Sequence, residues 1–188
     1  MSGEKLHILG IAGSLRAGSY NRGLLRAAAG LLPAGVGLEV FSVDQIPLYN
    51  ADVESQGLPA PVRDLKERIA AADGLLIATP EYNYSIPGVL KNALDWASRP
   101  PRTSVLCKKP IGIVGASGGR SGTMRSQLAL RQVFVFTGSY AMPQPEFLLP
   151  FAGEKCDANG DLVEAETREH LRGFLAAFVE WVRLVGGA

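Results

Sequence analysis

Short apolar runs separated by helix-length stretches recur along the whole chain, and that alternation leaves few folds open. Leu6 to Ala12 and Leu75 to Thr79 are almost wholly apolar, as strands covered on both faces are. Leu38 to Val43 alternates as a second strand, Ile111 to Ala116 reads as a fourth, and a short fifth is expected near Tyr140 to Met142. Between them the spacing predicts helices from near Asn21 to about Leu32, from about Pro59 to Ala72, over Gly88 to Ala97, and from about Thr123 to Phe136. Residues 44–58, with Pro47 and Gly57, read as a long loop, and Pro100-Pro101 breaks the third helix. The last helix carries Leu171, Phe174, Leu175, Phe178, Val179 and Val182 on one face. Strands alternating with helices give a parallel sheet sandwiched between helical layers. Five of them suit a three-layer, flavodoxin-like α/β sandwich of order 2-1-3-4-5.

With 188 residues, 47% of them hydrophobic and 20% charged, the chain is expected to be one domain spanning 1–188. There is no repeat, low-complexity segment or interdomain linker. The net charge of +1 and the scattered basic residues leave no footprint for nucleic acid. No apolar run approaches the ~20 residues needed to cross a bilayer. The opening Met-Ser-Gly-Glu-Lys leads straight into a strand and does not read as a signal peptide. Cys107 and Cys156 lie far apart and form no CxxC pair; with His7 and His170 they are too few for a zinc site. The expectation is a cytoplasmic protein with reduced thiols and no bound metal. His7, inside the first strand, reads as a packed or face residue, and His170 as solvent-facing. A Ser-His-Asp hydrolase would therefore lack a well-placed base.

Three loops at strand ends carry the candidate chemistry. Gly13-Ser14-Leu15-Arg16-Ala17-Gly18-Ser19-Tyr20-Asn21 follows strand one and opens helix one. A helix N-terminus offers free N–H groups and a positive dipole end, which suits phosphate. Ser14, Ser19 and Asn21 add short donors, and Arg16 adds a planar fork. The same stretch also fits an ordinary turn with a Ser or Asn cap. It is neither GxGxxG nor a Walker A loop. Thr79-Pro80-Glu81-Tyr82-Asn83-Tyr84 follows strand three, where tyrosine faces and backbone N–H groups can meet a planar ring, or simply pack on the next helix. Pro87 is expected at that helix's first position. Ala116-Ser117-Gly118-Gly119-Arg120-Ser121-Gly122 forms the loop at the end of strand four, its glycines permitting close backbone approach, although Ser121 also suits the cap of the next helix. A phosphate site and a ring site on one sheet edge together suggest a flavin nucleotide. Tyr49, Asp52 and Glu54 in the long loop read as solvated.

Gly-Ser-Leu-Arg-x-x-Ser-x-Asn at 13–21, Pro47-Leu48-Tyr49-Asn50, Thr-Pro-Glu-Tyr-Asn at 79–83 and Leu90-Lys91-Asn92-Ala93-Leu94-Asp95-Trp96 follow one another in this order. In that combination the chain resembles the NADPH-dependent FMN reductase family, which includes bacterial chromate and quinone reductases and related azoreductases. The resemblance runs from about Leu6 to Phe147. It implies FMN as cofactor, with its phosphate held by Ser14, Arg16, Ser19 and Asn21, and Tyr20 in the same contact set. Pro80, Glu81, Tyr82 and Asn83 would flank the isoalloxazine, and Ser117, Gly118 and Gly119 would meet its pyrimidine edge. NADPH or NADH would supply hydride and a quinone would take it in a ping-pong sequence, with chromate, azo compounds or free flavin as other acceptors. No side chain is assigned as acid or base. The resemblance further implies a homodimer or homotetramer whose neighbouring subunits help to wall the flavin, and the exposed-looking Ile46-Pro47-Leu48-Tyr49 suits such a surface. The alternative is a flavodoxin-type electron carrier with no nicotinamide turnover; its usual strong acidity is missing here. A third reading is a flavin-binding regulatory module.

Overall fold

The computed structural model describes residues 5–186. Its apolar runs form the centre of one sheet: β1 (Leu6–Ala12), β3 (Gly74–Ala78) and β4 (Pro110–Ala116) lie side by side. The half-exposed β2 (Val36–Phe41) flanks β1, and β5 (Tyr140–Ala141) flanks β4. All pairings are parallel and the order is β2-β1-β3-β4-β5, the flavodoxin-like α/β arrangement expected.

The expected five strands need one correction. A sixth, β6 (Phe147–Leu149), pairs with the upper half of β4, Val114 to Ala116, while β5 pairs with Pro110 and Ile111 below. The place beside β4 is thus shared by two short pieces. Pro143 and Pro145 lie between them, and a residue without an N–H cannot continue a ladder. The long loop is also not entirely loop. It contains the short helix α2 (Ala51–Ser55), whose cap Asn50 accepts the Asp52 N–H at 2.8 Å. Five residues with none buried leave no periodicity to read.

Helices α1 (Tyr20–Ala29), α3 (Ala60–Ala71), α4 (Gly88–Ala97), α5 (Met124–Thr137) and α6 (Ala165–Val185) fall close to their expected spans. Helix α1 stops earlier, at a Gly30 cap, and Pro87 sits in the cap position of α4 rather than inside it. Alternate strand residues face opposite layers. Ile8, Leu76, Val114 and Ala116 pack with α1 and α6, while Leu9, Ile11, Leu75, Ile77, Ile111 and Ile113 pack with α3, α4 and α5. All six residues of the expected α6 face are buried. Phe178 lies directly on Gly112 of β4, where an added Cβ would come within 2.9 Å of its ring.

A closer approach occurs at Gly23 of α1. There the Asp157–Asp161 turn crosses the helix so tightly that a Cβ would fall 1.8 Å from the Gly160 carbonyl oxygen. Arg26 of α1 pairs with Asp161 of that turn at 2.5 Å. His7 is half-exposed with Nε2 3.2 Å from a Glu39 oxygen, and His170 is exposed with its ring 5.1 Å from that of Phe147. Both cysteines are free thiols.

Register decides where the loops emerge. Ala12 lies opposite Ala78, and Ala78 opposite Val114, so Gly13, Thr79 and Ser117 leave the sheet along one edge.

Candidate functional site

That edge opens into a cleft of about 670 Å³, within the usual range for small-molecule sites. Ser14, Arg16, Ser19, Tyr20, Asn21, Pro80, Glu81, Tyr82, Asn83, Ser117, Gly118 and Gly119 all line it. The twelve candidate cofactor residues are therefore brought to one cavity, while the Pro47–Asn50 and Leu90–Trp96 motifs pack on each other outside it, through Tyr49 N–H to Asn92 Oδ1 and Trp96 Nε1 to the Pro47 carbonyl, each at 2.8 Å. Tyr84, Ala116, Ser121, Gly122 and Arg125 complete the wall.

The first loop supplies an anion end. Ser14 is buried beside the cleft, and its hydroxyl takes no hydrogen-bond partner among the described residues. Ser19 caps α1, its Oγ accepting the Arg22 N–H at 3.4 Å, so the ordinary cap role and a site role coexist in one residue. The N–H groups of Tyr20 and Asn21, at the first two positions of α1, have no backbone partner among the described residues. Arg16 is exposed, its guanidinium 5.1 Å from the centre of the Tyr20 ring. Asn21 differs from expectation. Its side chain is turned inward and bonds both the N–H and the carbonyl of Ala116, each at 2.9 Å. It ties α1 to the end of β4, and what it offers the cleft is chiefly its backbone N–H.

The second loop supplies an aromatic wall. Tyr82 and Ser85 exchange backbone hydrogen bonds at 3.2 and 2.9 Å, closing a two-residue turn over Asn83 and Tyr84. Both central residues have positive φ, 50° and 64°. Asn tolerates that region readily; Tyr does not, and such outliers cluster at ligand sites. Tyr84 keeps its place with the Arg125 guanidinium 3.7 Å from its ring centre. Glu81 lines the cleft with its carboxylate already engaged: it accepts the backbone N–H of Arg125 at 2.9 Å and the Arg125 Nε at 2.7 Å.

The third loop supplies bare backbone. A Cβ added at Gly118 would meet no protein atom within 4 Å. Ser117 Oγ accepts the Gly119 N–H at 3.2 Å, which folds the loop on itself. The end of β6 and the chain after it brace this loop: Ser117 N–H bonds the Leu149 carbonyl at 3.0 Å, Ala152 N–H the Ser117 carbonyl at 3.0 Å, and Phe151 N–H the Gly119 carbonyl at 3.2 Å. Ser121 does not cap α5. Thr123 holds that position, and Ser121 Oγ instead accepts from Arg125 Nη2 at 2.8 Å. Arg125 escaped sequence reading, whereas Ala116 stands at the head of the third loop. Nothing distinguishes Arg125 from the other scattered basic residues until Glu81 is placed beside it.

Hydroxyls, an arginine and a helix N-terminus from the first loop, tyrosine rings from the second and open glycine backbone from the third fit a phosphorylated planar heterocycle. In a 2-1-3-4-5 sheet the ligand crevice lies at the β1/β3 switch point, where this cleft opens. Such an arrangement is a flavodoxin-like fold with its cleft at the expected ligand crevice. The chain belongs to the NADPH-dependent FMN reductase family, whose model matches residues 6–154. It is 48% identical to an NAD(P)H-dependent FMN reductase of Pseudomonas aeruginosa over 98% of this chain and 99% of that one. It is 43% identical to a quinone reductase of Escherichia coli K12, over 97% and 98% of the two chains. Among solved structures it superposes with TM-score 0.87 on FerB, a flavoenzyme NAD(P)H:(acceptor) oxidoreductase from Paracoccus denitrificans, at 33% identity over 96% and 98%. As a family member the chain is an FMN- and NAD(P)H-dependent oxidoreductase rather than an electron carrier.

Proposed function

We propose that this chain is a single-domain NAD(P)H:quinone reductase that holds one FMN in the cleft. When bound, FMN accepts hydride from the nicotinamide and passes two electrons to the acceptor. The chain's own residues bind and orient. Ser14, Ser19, Arg16 and the free N–H groups of Tyr20 and Asn21 take the phosphate, where charge-assisted hydrogen bonds are strongest. The Pro80–Asn83 segment flanks the ring, and Ser117, Gly118 and Gly119 meet its pyrimidine edge, their backbone dipoles offsetting negative charge there. Nicotinamide and acceptor enter by the same open mouth in turn, which is why the kinetics should be ping-pong. A mouth that recognises little beyond a flat ring also admits chromate, azo compounds and free flavin.

The observation that carries this reading is the convergence of the loops after β1, β3 and β4 on one cavity, each supplying a different part of a flavin nucleotide's chemistry. It is tested by an anaerobic absorption spectrum of the FMN-loaded protein before and after NADPH, then after a benzoquinone. Bleaching by NADPH and recovery with quinone are expected. A protein that stays colourless with excess FMN and leaves flavin fluorescence unquenched would overturn it.

The same reading includes a homodimer or homotetramer acting in the cytoplasm. Leu48 is 84% exposed, Val135 82% and Phe136 76%, apolar surface better suited to a second copy than to water. No described helix is long and apolar enough to cross a membrane, and both thiols are free. Light scattering at micromolar concentration should give a multiple of 20.0 kDa; the monomer mass would count against assembly.

A further inference from the structure

Glu81 is out of character for its position. It is the one carboxylate among the residues lining the cleft, in the loop that flanks the ring, where free negative charge would oppose reduction. Yet its side chain is only 6% exposed and is turned into the N-terminus of α5. One oxygen accepts the N–H groups of Arg125 (2.9 Å) and Ser126 (3.3 Å), and the other accepts Arg125 Nε (2.7 Å). Thr123, in the cap position, makes no capping bond. Its Oγ1 instead accepts from Gln127 Nε2 at 3.1 Å. Glu81 thus caps a helix from 44 residues away in sequence, an arrangement favoured by the positive dipole end of α5. Arg125 in turn lines the cleft, donates to Ser121 of the third loop and covers the Tyr84 ring.

We infer that Glu81 and Arg125 form a charge-balanced positioning pair that sets the reduction potential of the site. Both line the cavity, Arg125 as the more exposed partner; the buried Glu81 carboxylate cancels its charge while fixing the ring loop to α5. This rests on the reading that the cleft holds FMN, and Glu81 acts only through Arg125 and the loop. Each member alone would bias the site in an opposite sense. An uncompensated guanidinium favours the negative charge taken up on reduction, whereas an uncompensated carboxylate disfavours it.

The test is anaerobic redox titration of FMN-loaded protein, with FMN affinity measured alongside. Glu81→Gln keeps an oxygen for the α5 N–H groups but removes the charge, and the midpoint potential should rise. Arg125→Gln should lower it. A tenfold change in the reduction equilibrium is about 30 mV for a two-electron couple. The double variant should return toward wild type, and Arg125→Lys, which keeps the charge but not the fork, should stay near it. A pair that merely braces the loops would shift both single variants in the same sense with no return in the double, which would overturn the inference. If Arg125→Gln does not fold, Glu81→Gln and the double variant still decide: a shift that persists when both charges are gone refutes charge balance. Wild-type protein that takes up no FMN would instead defeat the flavin reading itself.

Discussion

The Asn21 side chain pairs with the backbone of Ala116, accepting its N–H and donating to its carbonyl, each at 2.9 Å and 95 residues apart in sequence. Both residues are buried, so neither group of Ala116 can turn to water instead. The loops after β1 and β4 are thereby held at a fixed separation.

Asn21→Ala should cost stability before it costs anything else. Two buried backbone groups lose their partner, at roughly 1–3 kcal/mol each. The denaturation midpoint should drop accordingly, and FMN affinity should fall with it because the two loops are no longer joined. A variant as stable as wild type would mean that water or another group replaces the amide.

Arg16→Ala isolates the phosphate. A hydrogen bond to a charged group is worth about 1.5–3 kcal/mol, so FMN binding should weaken roughly ten- to a hundredfold. Riboflavin, which lacks the phosphate, should bind nearly as before. Folding should survive, since Arg16 is exposed and takes no carboxylate partner among the described residues. Paired fluorescence titrations decide it; equal weakening of both ligands would assign Arg16 to the loop or the ring.

In an exposed helix interior, replacing Gly by Ala usually stabilises by about 1 kcal/mol. At Gly23 the sign should reverse, because the added carbon would lie 1.8 Å from the Gly160 carbonyl, and backbone cannot rotate away. Overpacking of this kind costs about 1–3 kcal/mol or more. Gly23→Ala should therefore melt earlier than wild type, and an unchanged melting temperature would show that the Asp157–Asp161 turn yields freely.

Burial pushes the Cys156 thiol up to about 11, with Asp157 and Asp161 adding to the effect. Its alkylation rate should keep rising tenfold per pH unit toward that value rather than levelling off near its ordinary value of about 9. Peptide mass spectrometry after timed iodoacetamide treatment reads this directly. The linked stability has a definite sign. A thiol harder to ionise when folded favours the fold below about 9, its ordinary value, and that contribution is lost as pH rises toward about 11. Cys156→Val should flatten this alkaline decline.

Where the chain declares itself locally, sequence is enough. The apolar strands, the α6 stripe and the three loops are visible because periodicity and loop chemistry act over a few residues. The broken edge beside β4 and the five-residue α2 left too little pattern, although Pro143 and Pro145 mark the break once its position is known. The inward turn of Asn21 and the pairing of Glu81 with Arg125 had no local signature at all. Each joins residues far apart in the chain, and only the register of the sheet brings them together.

The stretch from Leu149 to Ala152 contributes no lining residue to the cleft, yet its main chain holds Ser117 and Gly119 where they are. Two chains with identical cleft residues can therefore differ in how tightly they grip the same ring and how readily it is reduced. Divergence among such enzymes can accumulate in this remote bracket, untouched by any comparison confined to ligand contacts.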